Sequence, residues 1–259
     1  MTTTYASYMQ IANNLDRYTT LTEKTADVSA ATKYYQDNIG KIKSIDDFMK
    51  DDRIYRYAMK AYGLEDMTYA KAMVKKALTE GVTDSKSFAN TLSDKRFAAL
   101  AKVFDFATYG ETTTERTAVT TDTPNSYVRQ AVEENAGEQN EGVQLALKFA
   151  RKASSITSAY GILADKDLLK VVQTALGLSE YTSYQDIDKQ ATTISNMLDI
   201  SSLQDPAEVQ KFLTKFTAKY DIANSSSTTS TSSILFGSSG GVGISSDILS
   251  AIQSLKLGG

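Results

Sequence analysis

Apolar residues recur at intervals of three and four along most of the chain, and the runs are bracketed by capping residues and stopped by glycines. That period puts one apolar stripe on each of a series of helices and predicts essentially no sheet. Tyr5, Tyr8, Ile11, Leu15 and Tyr18 form the first stripe. Val28, Ala31, Tyr35, Ile39 and Ile42 form the second, behind Asp27 as N-cap. Ser44-Ile45-Asp46-Asp47 matches the Ser-x-x-acid capping box and opens another helix at Phe48 and Met49. Residues 53–62 read as helix with Gly63 just past the end, and residues 65–80 as the next, with Gly81 as its stop. Glycine suits both ends because the left-handed conformation there costs it nothing. Phe88 and Leu92 mark a short helix after Asp84, and Phe97, Leu100, Ala101 and Phe104 mark another with a buried face.

From Ala107 to Asn125 the period collapses into a Thr-rich run, which is expected to be an irregular loop or linker. Helical patterning then resumes with Tyr127, Ala131, Val143, Leu147 and Ala150, as one long helix or two, with Gly137 and Gly142 in the middle. Further helices centre on 168–176, with Gly177 as stop, and on 187–198. The last opens at Asp205-Pro206, an N-cap followed by proline where the missing N–H is harmless, and buries Val209, Phe212, Leu213 and Phe216. The expected organisation is N-terminal helical repeats over 1–106, a linker over 107–125, C-terminal repeats packed with the first half over 126–223, and a flexible tail over 224–259.

Two stretches of the chain resemble each other. Superimposing Gly63 on Gly177, 114 residues apart, brings Ser44 onto Ser158, Phe48 onto Ile162, Asp51 onto Asp165, Ile54 onto Leu168 and Ala61 onto Ala175. A weaker copy, 43 residues after the first, sets Ser87, Leu92, Asp94 and Phe97 against Ser44, Met49, Asp51 and Ile54. Each copy reads as a short helix, a kink at Asp and a longer helix, which is the size of a helical-pair repeat. The fold class expected is all-α, an array or bundle of degenerate helix-pair repeats.

The tail is dominated by Ser, Thr and Gly, too poor in apolar surface to offset its ordering entropy. It ends in Ser245-Ser246-Asp247 and then Ile248, Leu249, Ile252 and Leu255, a capped amphipathic stripe too short to stand alone in water. These four residues are the candidate partner-binding set. Either they pack on the chain's own helices, with Tyr8, Ile11 and Leu15 as the expected face, or they meet a partner.

Composition excludes several functions. With no Cys and no His, thiolate catalysis, imidazole acid–base work and nearly all zinc chemistry are removed. A net charge of −3 with interspersed signs gives no basic stripe for nucleic acid. No run approaches the roughly 18 apolar residues of a membrane span, so no membrane insertion is expected. The start MTTTYASYMQ lacks a basic n-region and an apolar h-region. The chain is therefore expected in the cytoplasm, or exported by a route that reads no such signal.

Asp46-Asp47, Asp51-Asp52 and Glu133-Glu134 are adjacent on helices, so each pair diverges and cannot meet at one metal or substrate atom. Gly240-Gly241-Val242-Gly243 follows no strand and lacks the Gly-Lys-Ser/Thr ending of a phosphate loop. Tyr34, Tyr35, Tyr55, Tyr57, Tyr62 and Tyr69 sit at helical spacing and read as packing residues with a wet hydroxyl. Arg53 and Arg96, each two residues after an Asp, read as ion-pairing or capping groups. No catalytic residue, cofactor, metal ligand or small-molecule substrate is expected.

The stretch KSIDDFMKDDRIYRYAMKAYGLEDM, residues 43–67, resembles the signature of a bacterial family known as domain of unknown function 1217. So do SFANTLSDKRF at 87–97, the short run 127–130, the segment 142–178 and the ending LKLGG. The resemblance runs over most of 4–222. It implies an all-helical fold and genes lying among flagellar genes of alphaproteobacteria, and it brings no known activity and no catalytic residues. The expectation that follows is a non-enzymatic flagellar structural or assembly-associated protein. It would act through helix-mediated contacts with flagellar proteins or its own copies, and would be located in the flagellum or exported through it. The alternative is a cytoplasmic chaperone or regulator of flagellar export.

Overall fold

The caps and stops in the sequence set the element boundaries. The structure, a computed structural model, describes residues 3–224. Ile248, Leu249, Ile252 and Leu255 lie outside the described residues, with the whole segment from 225 onward. Among the described residues there is no strand, and the protein is all-α. The first helices are α1 (Thr4–Ala12), α2 (Leu15–Glu23), α3 (Ala26–Asn38), α4 (Ile45–Lys50) and α5 (Asp52–Ala61). They are followed by α6 (Lys71–Glu80), α7 (Phe88–Thr91), α8 (Arg96–Val103) and α9 (Phe106–Tyr109). The remainder are α10 (Thr123–Gln139), α11 (Glu141–Lys152), α12 (Ala159–Leu163), α13 (Lys166–Leu176), α14 (Ile187–Met197) and α15 (Pro206–Asn224).

Ser44 Oγ accepts from the Asp47 N–H at 3.1 Å, and the Asp47 carboxylate accepts in return from Ser44 Oγ at 2.8 Å and the Lys43 N–H at 3.2 Å. This is a reciprocal capping box. Asp51 Oδ1 accepts from the N–H groups of Arg53 and Ile54, and Asp165 Oδ1 from those of Asp167 and Leu168. At the other ends of these helices Gly63 and Gly177 take φ of 70° and 74°. The next N–H in each case, Leu64 and Leu178, reaches back to the carbonyls of Met59 and Gln173, closing the helix in the Schellman manner. For α3 the N-cap is Thr25, not Asp27, which lies in the first turn.

Two main apolar cores result, beside a small cluster of Val28, Val128 and Ala131. The first, built by α3–α9, contains Tyr35, Phe48, Tyr55, Phe97 and Phe104, all almost wholly buried. The second contains Phe149, Ile162, Val172, Leu213 and Phe216 from α11–α15. Helix α10 joins them by packing on both α5 and α11. Near its start Tyr127 stacks on Tyr57 at 3.9 Å, and Tyr57 stacks on Tyr35 at 4.4 Å. Near its end Ala136 enters the second core.

Two expectations are corrected. Helix α1 does not join the first half: Tyr8 is buried in the second core, with Ile11 packed against it. Tyr8 is thus covered by the folded chain, while Ile11 and Leu15 are half-buried. The N–H of Thr4 donates to Asp221 at 3.1 Å, its hydroxyl donates to the same carboxylate, and Asn140 Nδ2 donates to that hydroxyl at 2.9 Å. A Cβ on Gly142 would lie 2.5 Å from Tyr220 Cδ1 and 2.9 Å from Thr4 Cγ2, so this closure requires glycine.

The second correction concerns 107–125, which is not irregular. It winds through the end of α9, a 3₁₀ helix at Gly110–Glu115, a π-helical turn at Ala118–Asp122 and the start of α10. Thr113, Thr114 and Thr123 are buried because their hydroxyls donate to the carbonyls of Gly110, Ile42 and Ala118 at 2.7, 2.9 and 3.0 Å. Threonine bonded back to the main chain in this way carries little of its polarity into the core. Tyr35 adds a bond from its hydroxyl to the Val119 carbonyl at 2.9 Å.

Phe97 and Phe104 fill the centre of the first core. Truncating either to Ala should cost about 3–5 kcal/mol. Denaturant unfolding checks this, and two variants as stable as the parent would contradict the packing described.

Candidate functional site

Where α5, α8, α10, α11 and α13 meet, a cleft of about 310 Å³ opens, lined by charged side chains that include Lys60, Arg96, Glu134, Lys148 and Asp165. Local structure puts each of them there. Arg96 is the first residue of α8 and is gripped by Asp94, with Nη2 to Oδ2 at 2.7 Å. Its Nη1 donates to the Gly63 carbonyl and to Asp66 Oδ1, the latter at 3.1 Å. Gln130 closes over Gly63, where a Cβ would stand 3.3 Å from Gln130 Nε2.

Beside the cleft, Glu133 of α10 has no exposure. It accepts a bidentate pair from Arg151 of α11, Nε at 2.7 Å and Nη2 at 2.8 Å, and a third bond from Arg129 Nε at 3.0 Å. Glu134 points elsewhere, to Lys60 at 2.6 Å. Lys148 pairs with Asp167 at 2.8 Å, Lys152 with Asp165, and Lys166 approaches Asp66 at 4.0 Å.

Burial opposes the charge on Arg96, Lys60 and Arg151, but hydrogen bonds to Asp94, Glu134 and Glu133 together with the attraction of these and neighbouring carboxylates outweigh it and leave all three pKa values above the ordinary ones. Burial alone would raise the Asp165 carboxyl. Attraction to Lys152, the Leu168 N–H and Arg96 reverse this and hold it below the usual carboxylate range.

Each cation lining the cleft, Lys60, Arg96, Lys148 and Lys166, already has a carboxylate of this chain as partner. The chemistry available is therefore mutual neutralisation across five elements. No three Asp or Glu converge as metal ligands among the described residues.

The acidic pairs diverge as their spacing requires. Asp46 meets Lys75 while Asp47 caps α4. Asp51 caps α5 while Asp52 meets Arg56 and Lys71. Arg96 is the ion-pairing group the sequence suggests, whereas Arg53 lies 3.5 Å over the ring of Tyr34. Of the tyrosines, Tyr35, Tyr55 and Tyr57 are buried in packing, and Tyr69 is 79% exposed. The clamp on Glu133 escapes sequence reasoning except for one signal, Arg129 four residues earlier on the same helix face.

Comparison with known proteins bears on the chain that builds this cleft. The model of a family described as "Protein of unknown function (DUF1217)" matches residues 61–209. The chain belongs to that family. It is also similar to the crystal structure of an Agrobacterium tumefaciens protein, at 46% identity over 85% of this chain and 94% of that one, with a TM-score of 0.78. No match is found among curated proteins.

Glu133→Ala would leave Arg151 and Arg129 without their buried counter-charge and should destabilise the protein by about 3–5 kcal/mol, read from chemical denaturation. A second test uses pH. Because the folded pKa of Asp165 is depressed, its stabilisation is present above the unfolded value of about 3.9 and is lost as pH falls through the folded value. The stability gap between parent and Asp165→Asn should therefore be full at neutral pH and shrink on acidification. A gap that grows in acid would refute the pairing.

Proposed function

We propose that this protein is a non-enzymatic structural or assembly-associated component of the bacterial flagellum, acting through helix-mediated contacts with flagellar proteins or its own copies. The observation that carries the contact reading is the charged cleft. Its cations are engaged within the fold, so this cleft is committed to holding helices together. The flagellar setting is supported by the sequence resemblance of 43–67, 87–97 and 142–178 to a family whose genes lie among flagellar genes.

We read the architecture as degenerate helix-pair repeats. A shift of 114 residues carries the 3₁₀ turn Ile39–Lys41 onto Ala153–Ser155 and brings α4 and α5 over α12 and α13. The same shift sets Tyr35 on Phe149, Phe48 on Ile162, Ile54 on Leu168 and Ala77 on Ala191, buried residues in both members of each pair. Arrays of this kind present successive helix faces to partners.

Immunodetection of the native protein in purified flagella and culture fluid should find it there, and a strain unable to export flagellar subunits should lose the signal. Strict retention in the cytoplasm, bound to a flagellar subunit, would replace this reading with the chaperone or export-regulator alternative. Normal motility in a deletion strain would remove both.

A further inference from the structure

After α13 the chain forms a 3₁₀ turn, Glu180–Tyr184, and enters α14. This short run exposes Tyr181 (79%), Tyr184 (85%) and Ile187 (56%), and the two rings lie 6.3 Å apart. Single exposed apolar residues are ordinary, but a contiguous group is not.

The turn is held from both sides. Gln173 Nε2 donates to Thr182 Oγ1 at 3.1 Å and to Ser183 Oγ at 2.9 Å, while Gln190 Nε2 donates to the carbonyls of Ser183 and Gln185 at 3.3 and 2.7 Å. The Tyr160 hydroxyl donates to Asp188 at 2.7 Å. The rings are thus presented by a bonded frame, which lowers the ordering cost of binding.

The shift of 114 residues aligns Tyr181, Tyr184 and Ile187 with Met67, Ala70 and Met73. In the first half these three pack into or against the core, and α6 is covered by α7, α8 and α9. In the second half α14 packs on α12 and the 180–184 turn, while α15 turns back along α11 and α1 through Phe212, Tyr220 and Asp221. Positions that are packed in one half are exposed in the other. Along the run 181–189 the exposed charges are Asp186 and Asp188 against Lys189.

From this face and its charge we infer that Tyr181, Tyr184 and Ile187 form the docking surface for an amphipathic helix of a partner protein, one that carries Lys or Arg beside its apolar stripe. The apolar stripe covers Tyr181, Tyr184 and Ile187. The basic side chains meet Asp186 and Asp188 and lie over the tyrosine rings, where a cation is attracted to the π face. The inference rests on the contact reading above and is independent of a flagellar location.

The test is fluorescence anisotropy with the full chain and two labelled helical peptides that share one Leu stripe, one flanked by Lys and one by Glu. The Lys-flanked peptide should bind at least about tenfold more tightly and lose affinity with salt. Tyr181→Ser with Tyr184→Ser should abolish binding without altering the melting temperature, since both rings are exposed, and Asp188→Asn should weaken it. Equal binding of the two peptides, or binding that survives the double substitution, overturns the inference. So does a dimer in sedimentation that the double substitution dissolves, which would assign the face to a second copy. Preferential binding of a peptide of residues 245–259 would assign it to this chain's own sequence. None of these outcomes moves the localisation experiment, so the two readings fail separately.

Discussion

A carboxylate with no access to water lies at the middle of α10, a helix shared by both cores. Moving an unpaired Glu133 out of solvent would cost several kcal/mol, and that cost is offset only when Arg151 and Arg129 deliver their three N–H groups to it. Arg129 comes free with the helix, one turn away. Arg151 comes only if α11 folds back beside α10, so the ion triad fixes how those two helices meet at Asn140. Charge satisfaction acts beside apolar burial in the surrounding elements, since Lys60, Arg96, Lys148 and Lys152 each pair with a carboxylate of another element.

The division of labour among residue types follows from this. Tyrosine suits the first core because a stacked ring can fill the interior while its hydroxyl reaches a main-chain oxygen, as Tyr35 does at Val119 and Tyr55 at Thr68. Threonine serves the same end on a smaller scale in the segment that leads into α10. The described residues therefore bury many polar side chains, and Ser87 Oγ stands out as a buried oxygen without a partner.

Helix ends were the most legible part of the fold because each is a one-residue chemistry. Ser44, Asp51, Asp165 and Pro206 announce starts, and Gly63, Gly81 and Gly177 announce stops, through bonds or torsions that depend on close neighbours alone. The segment 107–125 was misread for the opposite reason: its threonines are competent for the interior only by virtue of distant partners, such as the Ile42 carbonyl that receives Thr114. A stripe likewise says that a helix buries one face and not what covers it, so the pairing of α1 with the second core was invisible. At the cleft, Arg96 was readable as an ion-pairing residue from Asp94 two places before it. Glu133 was not, because its deciding partner sits on another helix.

The bond between Thr4 and Asp221 joins residues 217 apart in the chain. A nascent polypeptide emerging from the ribosome would thus carry its first helix without its final neighbour until nearly the whole compact unit has been made. The first core needs nothing beyond Tyr127 for its apolar members and can assemble early. The second must wait for α15. Synthesis therefore imposes an order on this molecule, in which one half can be solid while the other is still open at both ends.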